Sequence, residues 1–265
     1  MNGETAPAGA TPYARLSGPT YRGGFAVRYG QLRPRPPDDL FALLLSLLPA
    51  RTPELVVDLG SGTGISAVPW SGHARRVIGI ELNSEMLHAA ARAPGTRYVR
   101  ASATQTGLRG ARADIVTCAQ WFHWMDPQPT IAEIARILRP GGVFAAYDYD
   151  WPPLADWEVD AAFGRVIEAA GVDLARPEKA RHLDNLAASG RFRAVREVFL
   201  HSRELASAAH IARLPLVFGL VARMLAEGTA ERDLSLDTLW ETCQRRLHPG
   251  ANVLWWSYRV RIAVA

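Results

Sequence analysis

The stretch that most constrains this chain is Val56-Val57-Asp58-Leu59 running into Gly60-Ser61-Gly62-Thr63-Gly64. A short apolar, β-branched run that stops at a glycine-rich turn reads as a strand leading to a ligand-binding loop at the carboxyl edge of an α/β sheet. Glycines there adopt positive φ and let a ligand approach the backbone closely. A short helix is expected next, from Ile65 to about Trp70. Val77-Ile78-Gly79-Ile80-Glu81 reads as a second strand, and it ends in a carboxylate placed to accept both hydroxyls of a ribose. The loop spacing excludes two common readings. A dinucleotide fingerprint needs a glycine where Ile65 stands, and no lysine follows to make a phosphate loop. Asp58 points the same way, because an acid before the loop suits a ligand bearing an ammonium group better than one bearing phosphates. Asp58 also fits a loop-closing hydrogen-bond acceptor, and both roles can hold together.

The rest of the first half repeats the strand–helix alternation. Asp38 and Asp39 open an apolar helix, Leu40 to Leu48, stopped by Pro49. Ser84 to Arg92 is a helix capped by Asn83. Strands are expected at Arg97–Arg100, Asp114–Cys118 and Val143–Tyr147. A helix over Thr130–Leu138, ended by Pro140-Gly141-Gly142, separates the last two. Such alternation builds a mostly parallel sheet covered on both faces. Beyond Pro152-Pro153 the pattern changes to helical stretches at 155–190, 206–227 and 234–247, with strands at Val195–Leu200 and Leu254–Val264. The expected organisation is a disordered tail at 1–20 and a single domain over 21–265. Its core is about 37–150 with 193–205 and 253–265, and helices at about 151–190 and 206–250 form a lid.

Composition narrows the function classes. Two cysteines, Cys118 and Cys243, are too few and too far apart for a disulfide framework, a zinc cluster or an iron–sulfur cluster. The chain is 48% hydrophobic and can bury a core without such staples. Its longest apolar run, Leu40–Ala50, is too short to span a bilayer, and residues 1–12 lack the pattern of a secretory signal, so a soluble, cytoplasmic protein is expected. The net charge of +4 is spread thinly, which argues against a nucleic-acid face. One cluster stands out: Arg15, Arg22, Arg28, Arg33 and Arg35 with no acid between Glu4 and Asp38. It reads either as a solvated tail and first helix or as a positive wall for a carboxylate. Lys179 is the only lysine, a bias that points to a GC-rich genome.

Taken together, these motifs resemble the class I S-adenosylmethionine-dependent methyltransferases. Residues 56–64 are similar to the family's first motif, and Glu81 to the acid of its second strand. Asp114-Ile115-Val116-Thr117-Cys118-Ala119-Gln120 resembles the fourth-strand motif, and Leu138-Arg139-Pro140-Gly141-Gly142 the turn before the fifth strand. Within the family the chain looks most like small bacterial methyltransferases with Gln-x-x-His-Trp after strand four, here Gln120-Trp121-Phe122-His123-Trp124. Tyr29 and Arg33-Pro34 match that subgroup too. The resemblance implies a Rossmann-like seven-stranded fold with helical lid insertions and S-adenosyl-L-methionine as cofactor, leaving S-adenosyl-L-homocysteine. By position it implies that Asp58, Gly60, Ser61 and Gly62 line the methionine moiety and that Glu81 holds the ribose. Leu82 and Met86 would flank the adenine, Ser102 and Ala103 would meet its edge, Gln120 would lie near the ammonium, and Arg33 would pair with the carboxylate. Many members carry Asp where Ser102 stands, so a hydroxyl or a backbone amide would have to replace that contact.

For the acceptor side, Trp121 is expected to face the site, where its π face would attract a sulfonium. Phe122 and Trp124 are expected in the core. His123 is the candidate general base, with a structural hydrogen-bonding role as the alternative. Alternation puts Asp148 and Asp150 on one side of the fifth strand, where they would orient an acceptor or cap the next segment. The remaining histidines, His182 among them, show no metal-ligand spacing, so no metal is expected. The expected partner is a small-molecule methyl acceptor with an O, N or C nucleophile, in a natural-product tailoring step if the family is a guide. Two alternatives remain: an RNA or protein methyltransferase, although the Asn/Asp-Pro-Pro-Tyr motif of amino-directed nucleic-acid enzymes is missing, and a non-catalytic cofactor-binding protein.

Overall fold

The computed structural model describes residues 25–265 apart from Arg51, Ala175 and Arg176. The expected tail at 1–20, with Arg15 and Arg22, lies outside the described residues. The elements follow the chain as α1 (Phe25–Leu32), α2 (Asp38–Ser46), β1 (Leu55–Leu59), β2 (Arg76–Glu81), α3 (Ser84–His88), β3 (Thr96–Arg100), β4 (Ala113–Ala119), α4 (Pro127–Ile137) and β5 (Leu138–Tyr149). Then come α5 (Trp157–Ala169), α6 (Pro177–Ala180), α7 (His182–Ala188), β6 (Ala194–Ala206), α8 (Ala208–Arg213), α9 (Gly219–Ala226), α10 (Leu236–Arg246) and β7 (Asn252–Val264).

The strands form one seven-stranded sheet in the order β3-β2-β1-β4-β5-β7-β6. β1 to β5 are parallel, and β7 runs antiparallel between β5 and β6. The order reverses between β1 and β4, so the ends of those strands open the crevice where such sheets bind ligands. Side-chain alternation sorts the core. Val56, Ile115, Val143 and Ala145 face one layer, with α2, α5, α8 and α10. Val57, Val116, Phe144 and Ala146 face the other, with α1, α4 and α7. Asp148 follows Phe144 and Ala146 onto that second face, whereas Tyr147 and Tyr149 take the first.

Two local expectations change. The helix at 65–70 does not form; after the glycine turn the chain makes turns and then a 3-10 turn, Val68–Gly72. Pro69 has no N–H for the Ile65 carbonyl, so the α pattern cannot continue through it. Pro140-Gly141-Gly142 does not separate α4 from a later strand either. β5 starts at Leu138, and its register against β4 shifts between Ala113 and Ile115 to take up the irregularity. Among the described residues no single helix is long and apolar enough to cross a membrane.

Candidate active site

The glycine turn is anchored from below. Gly60 and Ser61 both donate their amides to the Ile80 carbonyl, at 2.8 and 3.1 Å. Gly62 donates to Glu81 Oε2 at 2.9 Å, and Asn83 N donates to Glu81 Oε1 at 2.7 Å. One buried carboxylate therefore ties the turn to the start of α3, where Asn83 caps Glu85 and Met86. Gly60, Gly62 and Gly64 have φ of 68°, 53° and 85°. A Cβ on Gly60 would lie 3.0 Å from Trp121 Cβ, and one on Gly62 would lie 3.2 Å from the Met86 methyl. Side chains on the turn would press on Trp121 and Met86, so its backbone stays bare, and Gly60, Ser61, Gly62 and Thr63 line a crevice in which a group can lie against that backbone. The residues present fit the cofactor that the sequence pattern implies.

Asp58 is not among the residues that line this crevice. It is fully buried and accepts hydrogen bonds from Ser66 Oγ at 2.5 Å and Thr117 Oγ1 at 2.7 Å. Burial pushes its carboxyl up to about 6, against the opposing effect of those two bonds and with a smaller push from Glu81. These two bonds fit the loop-closing role expected of Asp58. Leu82 is exposed, Met86 is buried beneath the turn, and Ser102 and Ala103 are partly buried after β3. Ser102 Oγ pairs with Thr104 Oγ1 at 2.8 Å. All four stand at the carboxyl edge of β2 and β3.

Beside the turn lies a cavity of about 710 Å³. Tyr29, Arg33, Gln120, Trp121 and Tyr149 line both this cavity and the crevice at the turn, so they form a shared wall. Arg33 lies 4.5 Å over the Tyr29 ring and donates from Nη1 to the Tyr149 hydroxyl at 2.6 Å. Burial holds the Tyr149 phenol protonated well above its usual range, partly offset by Arg33. Gln120 has φ 58°, unusual for a residue with a Cβ, and this turns its amide across the wall. Its Nε2 donates to the Tyr149 carbonyl at 3.1 Å, and its Oε1 accepts from Lys179 Nζ at 3.4 Å.

The cavity floor holds the candidates for proton chemistry. Asp148 Oδ2 pairs with Arg261 Nη1 at 2.9 Å, and Arg261 Nε pairs with Glu197 at 2.7 Å. Asp148 Oδ1 lies 3.5 Å from Lys179 Nζ and 3.7 Å from His123 Nδ1; Oδ2 lies 3.9 Å from His182 Nε2. Burial alone would raise the Asp148 carboxyl, but Lys179, His123, His182 and Arg261 outweigh it and hold it below its usual value. Burial drives the His182 imidazole down to about 4, against the pull of Asp148.

The structure brings His123 and Asp148 together, with Nδ1 3.7 Å from Oδ1. It puts Trp121 on the wall and Phe122 in the core, 5.3 Å from Phe144. Trp124, half-buried, packs against the core as expected and also lines the cavity. Asp150 also lines the cavity, from an exposed position. Lys179, His182, Tyr149 and Arg261 were missed. They come from α6, α7, β5 and β7, and local spacing cannot show such a convergence. The solitary lysine was the one available signal.

Fold and turn together define a Rossmann-like methyltransferase architecture. Residues 57–146 match the family model described as a methyltransferase domain. Sequence relatives include an uncharacterized methyltransferase of Mycobacterium tuberculosis, 38% identical over 36% of this chain and 40% of the relative. A malonyl-[acyl-carrier protein] O-methyltransferase of Pectobacterium atrosepticum is 35% identical over 38% of this chain and 41% of the relative. The matches span less than half the length of these curated relatives. Among solved structures, a protein of Anaeromyxobacter dehalogenans provisionally assigned as a Type II methyltransferase superposes with TM-score 0.69 at 25% identity. It covers 88% of this chain and 97% of that one. Phosphoethanolamine N-methyltransferase 2 of Haemonchus contortus, solved with phosphomonomethylethanolamine and S-adenosylhomocysteine, shares the fold at TM-score 0.54 and 18% identity, over 94% of this chain and 58% of that one.

Proposed function

We propose that the protein is a methyltransferase that uses S-adenosyl-L-methionine and methylates an O, N or C nucleophile of a small molecule. The observation that carries this reading is the wall shared by the glycine turn and the 710 Å³ cavity. It sets a cofactor site and an acceptor site edge to edge, as in-line transfer needs. The cofactor, when bound, supplies a sulfonium methyl group whose departure leaves a neutral thioether.

The chain's residues then bind, orient and exclude water. Gly60, Ser61 and Gly62 offer backbone against which the methionine part fits, Glu81 offers its remaining lone pairs to the ribose, and Leu82, Met86, Ser102 and Ala103 frame the adenine. Arg33 supplies positive charge for a carboxylate, with Gln120 beside it, and Trp121 gives the reacting centre a π face. On the acceptor side, Trp124, Trp151 and Phe218 make much of the cavity apolar and aromatic, which suits an acceptor with a ring or alkyl body. Segments 171–174 and 217–223 close its rim, so the helices after β5 and after β6 act as a lid. Asp148, kept ionised, orients His123, which takes the proton from an O–H or N–H acceptor. A net charge of only +4 disfavours the RNA reading. The O-methyltransferase relative favours an oxygen acceptor, and a tailoring step in natural-product synthesis is the setting we favour.

The experiment is mass spectrometry of a small-molecule extract incubated with the protein and the cofactor. A metabolite heavier by one methyl group, appearing only with both, supports the reading. Cofactor binding with no methylated product from any extract would support a binding protein instead.

A further inference from the structure

We infer that His123, Asp148 and His182 form a binding site for one first-row divalent cation, with zinc as the type metal, opening into the large cavity. Their donor atoms all lie within 4.8 Å of one another. They come from the turn after β4, the end of β5 and the start of α7, so the site is assembled by the fold and not by a local motif. Two imidazole nitrogens and one carboxylate oxygen are the donor set of catalytic zinc and of several other first-row metals, and three protein ligands leave positions open. Tetrahedral zinc with bonds near 2.0–2.1 Å sets its donors about 3.3 Å apart. His123 Nδ1 lies 3.7 Å from Asp148 Oδ1, and the spread of at most 4.8 Å among the three donors closes to that by small side-chain rotations.

Two donors lack a better use. His182 Nε2 and Asp148 Oδ1 are buried and make no hydrogen bond. Buried polar atoms without a partner are uncommon and ask for one. The carboxylate also has the bracing expected behind a metal ligand, because Arg261 holds Oδ2 and is itself balanced by Glu197.

The competing cation is Lys179. Its ammonium, 3.5 Å from Asp148 Oδ1, occupies the charge position a metal would take. The side chain is partly exposed and lines the cavity, into which its four-carbon stem can turn. Metal entry therefore exchanges an internal monovalent cation for a dication. A bound metal would polarise an acceptor oxygen and take over from His123, which cannot accept a proton while it ligates.

The test is independent of methyl transfer. Untagged protein, stripped with chelator and dialysed against Zn(II), is assayed for metal content, melting temperature and, with Co(II), visible absorption. We expect one equivalent of zinc, a raised melting temperature and tetrahedral cobalt bands. His123→Ala and His182→Ala should each lose all three while remaining folded by circular dichroism. Lys179→Met, which leaves the donors intact, should bind zinc at least about tenfold more tightly, because a neighbouring positive charge is gone. The inference is overturned if the wild type takes up no stoichiometric zinc, if uptake survives in the double histidine variant, or if Lys179→Met leaves the affinity unchanged.

Discussion

Asp58 lets a buried charge be weighed by pH alone. An ordinary aspartate loses its proton near 3.8; in the fold, burial beneath the glycine turn raises this to about 6. Folded protein thus holds a proton that the unfolded chain has released throughout the interval between those values. Stability from this group is fully present below the lower value, declines as pH rises through the window and is level above the upper one. Two pH units at 1.36 kcal/mol each make the decline about 3 kcal/mol. Asp58→Asn cannot ionise and keeps a carbonyl oxygen for Ser66 or Thr117, so its stability should lack this decline. Urea denaturation of both proteins at about pH 4 and about pH 7 measures it. The free-energy gap between variant and wild type should shift in the variant's favour by about 2.4 kcal/mol from the lower pH to the higher, whatever its starting value, the rest having been lost below pH 4. A gap that stays constant to within about 0.5 kcal/mol, the ordinary scatter of such differences, would show that Asp58 titrates normally and that the closed packing beneath the turn is wrong.

Three further outcomes follow from the site. Glu81→Ala should weaken S-adenosyl-L-homocysteine binding at least about tenfold by calorimetry, since charge-assisted bonds contribute roughly 1.5–3 kcal/mol each. It should also lower the melting temperature by freeing the Gly62 and Asn83 amides, and unchanged affinity would remove Glu81 from the cofactor site. In chelator, His123→Ala should cut turnover by roughly 10²–10⁴ while cofactor affinity stays within a few-fold; retained turnover with a lowered melting temperature would make it structural. Hydrogen exchange with S-adenosyl-L-homocysteine plus acceptor should protect residues 171–180 and 214–226, and protection confined to 55–125 would show an open cleft with no lid.

The cofactor half was legible because its determinants are consecutive. Asp58 to Gly64 encode strand end and turn within seven residues, and Glu81 closes the next strand in register with the first. The acceptor half was not. Asp148 and Arg261 meet only because β7 enters between β5 and β6 with Asp148 beside Arg259 in the ladder. His182 joins His123 across 59 positions of chain, so a search for ligands a few residues apart passes over both. That Trp124 also walls the cavity was not legible, because an aromatic residue reads alike whether it packs in a core or walls a cavity. The helix at 65–70 was misread because a glycine turn argues for a helix after it, and Pro69 counted for less than it should have.

The position of β7 also sets an order of assembly on the ribosome. Among the described residues β6 pairs with no strand but β7, and it waits through the synthesis of α8 to α10 without that partner. Until β7 arrives, Asp148 has no Arg261 to answer it, and thirteen residues of β6 are a template for any neighbouring chain. The parallel half of the sheet can form early, but the acceptor site is among the last parts to become native. A nascent chain stalled near residue 250 would carry a formed glycine turn and a hazardous open edge. For this protein, slow translation late in the message should therefore yield more aggregation than slow translation early in it.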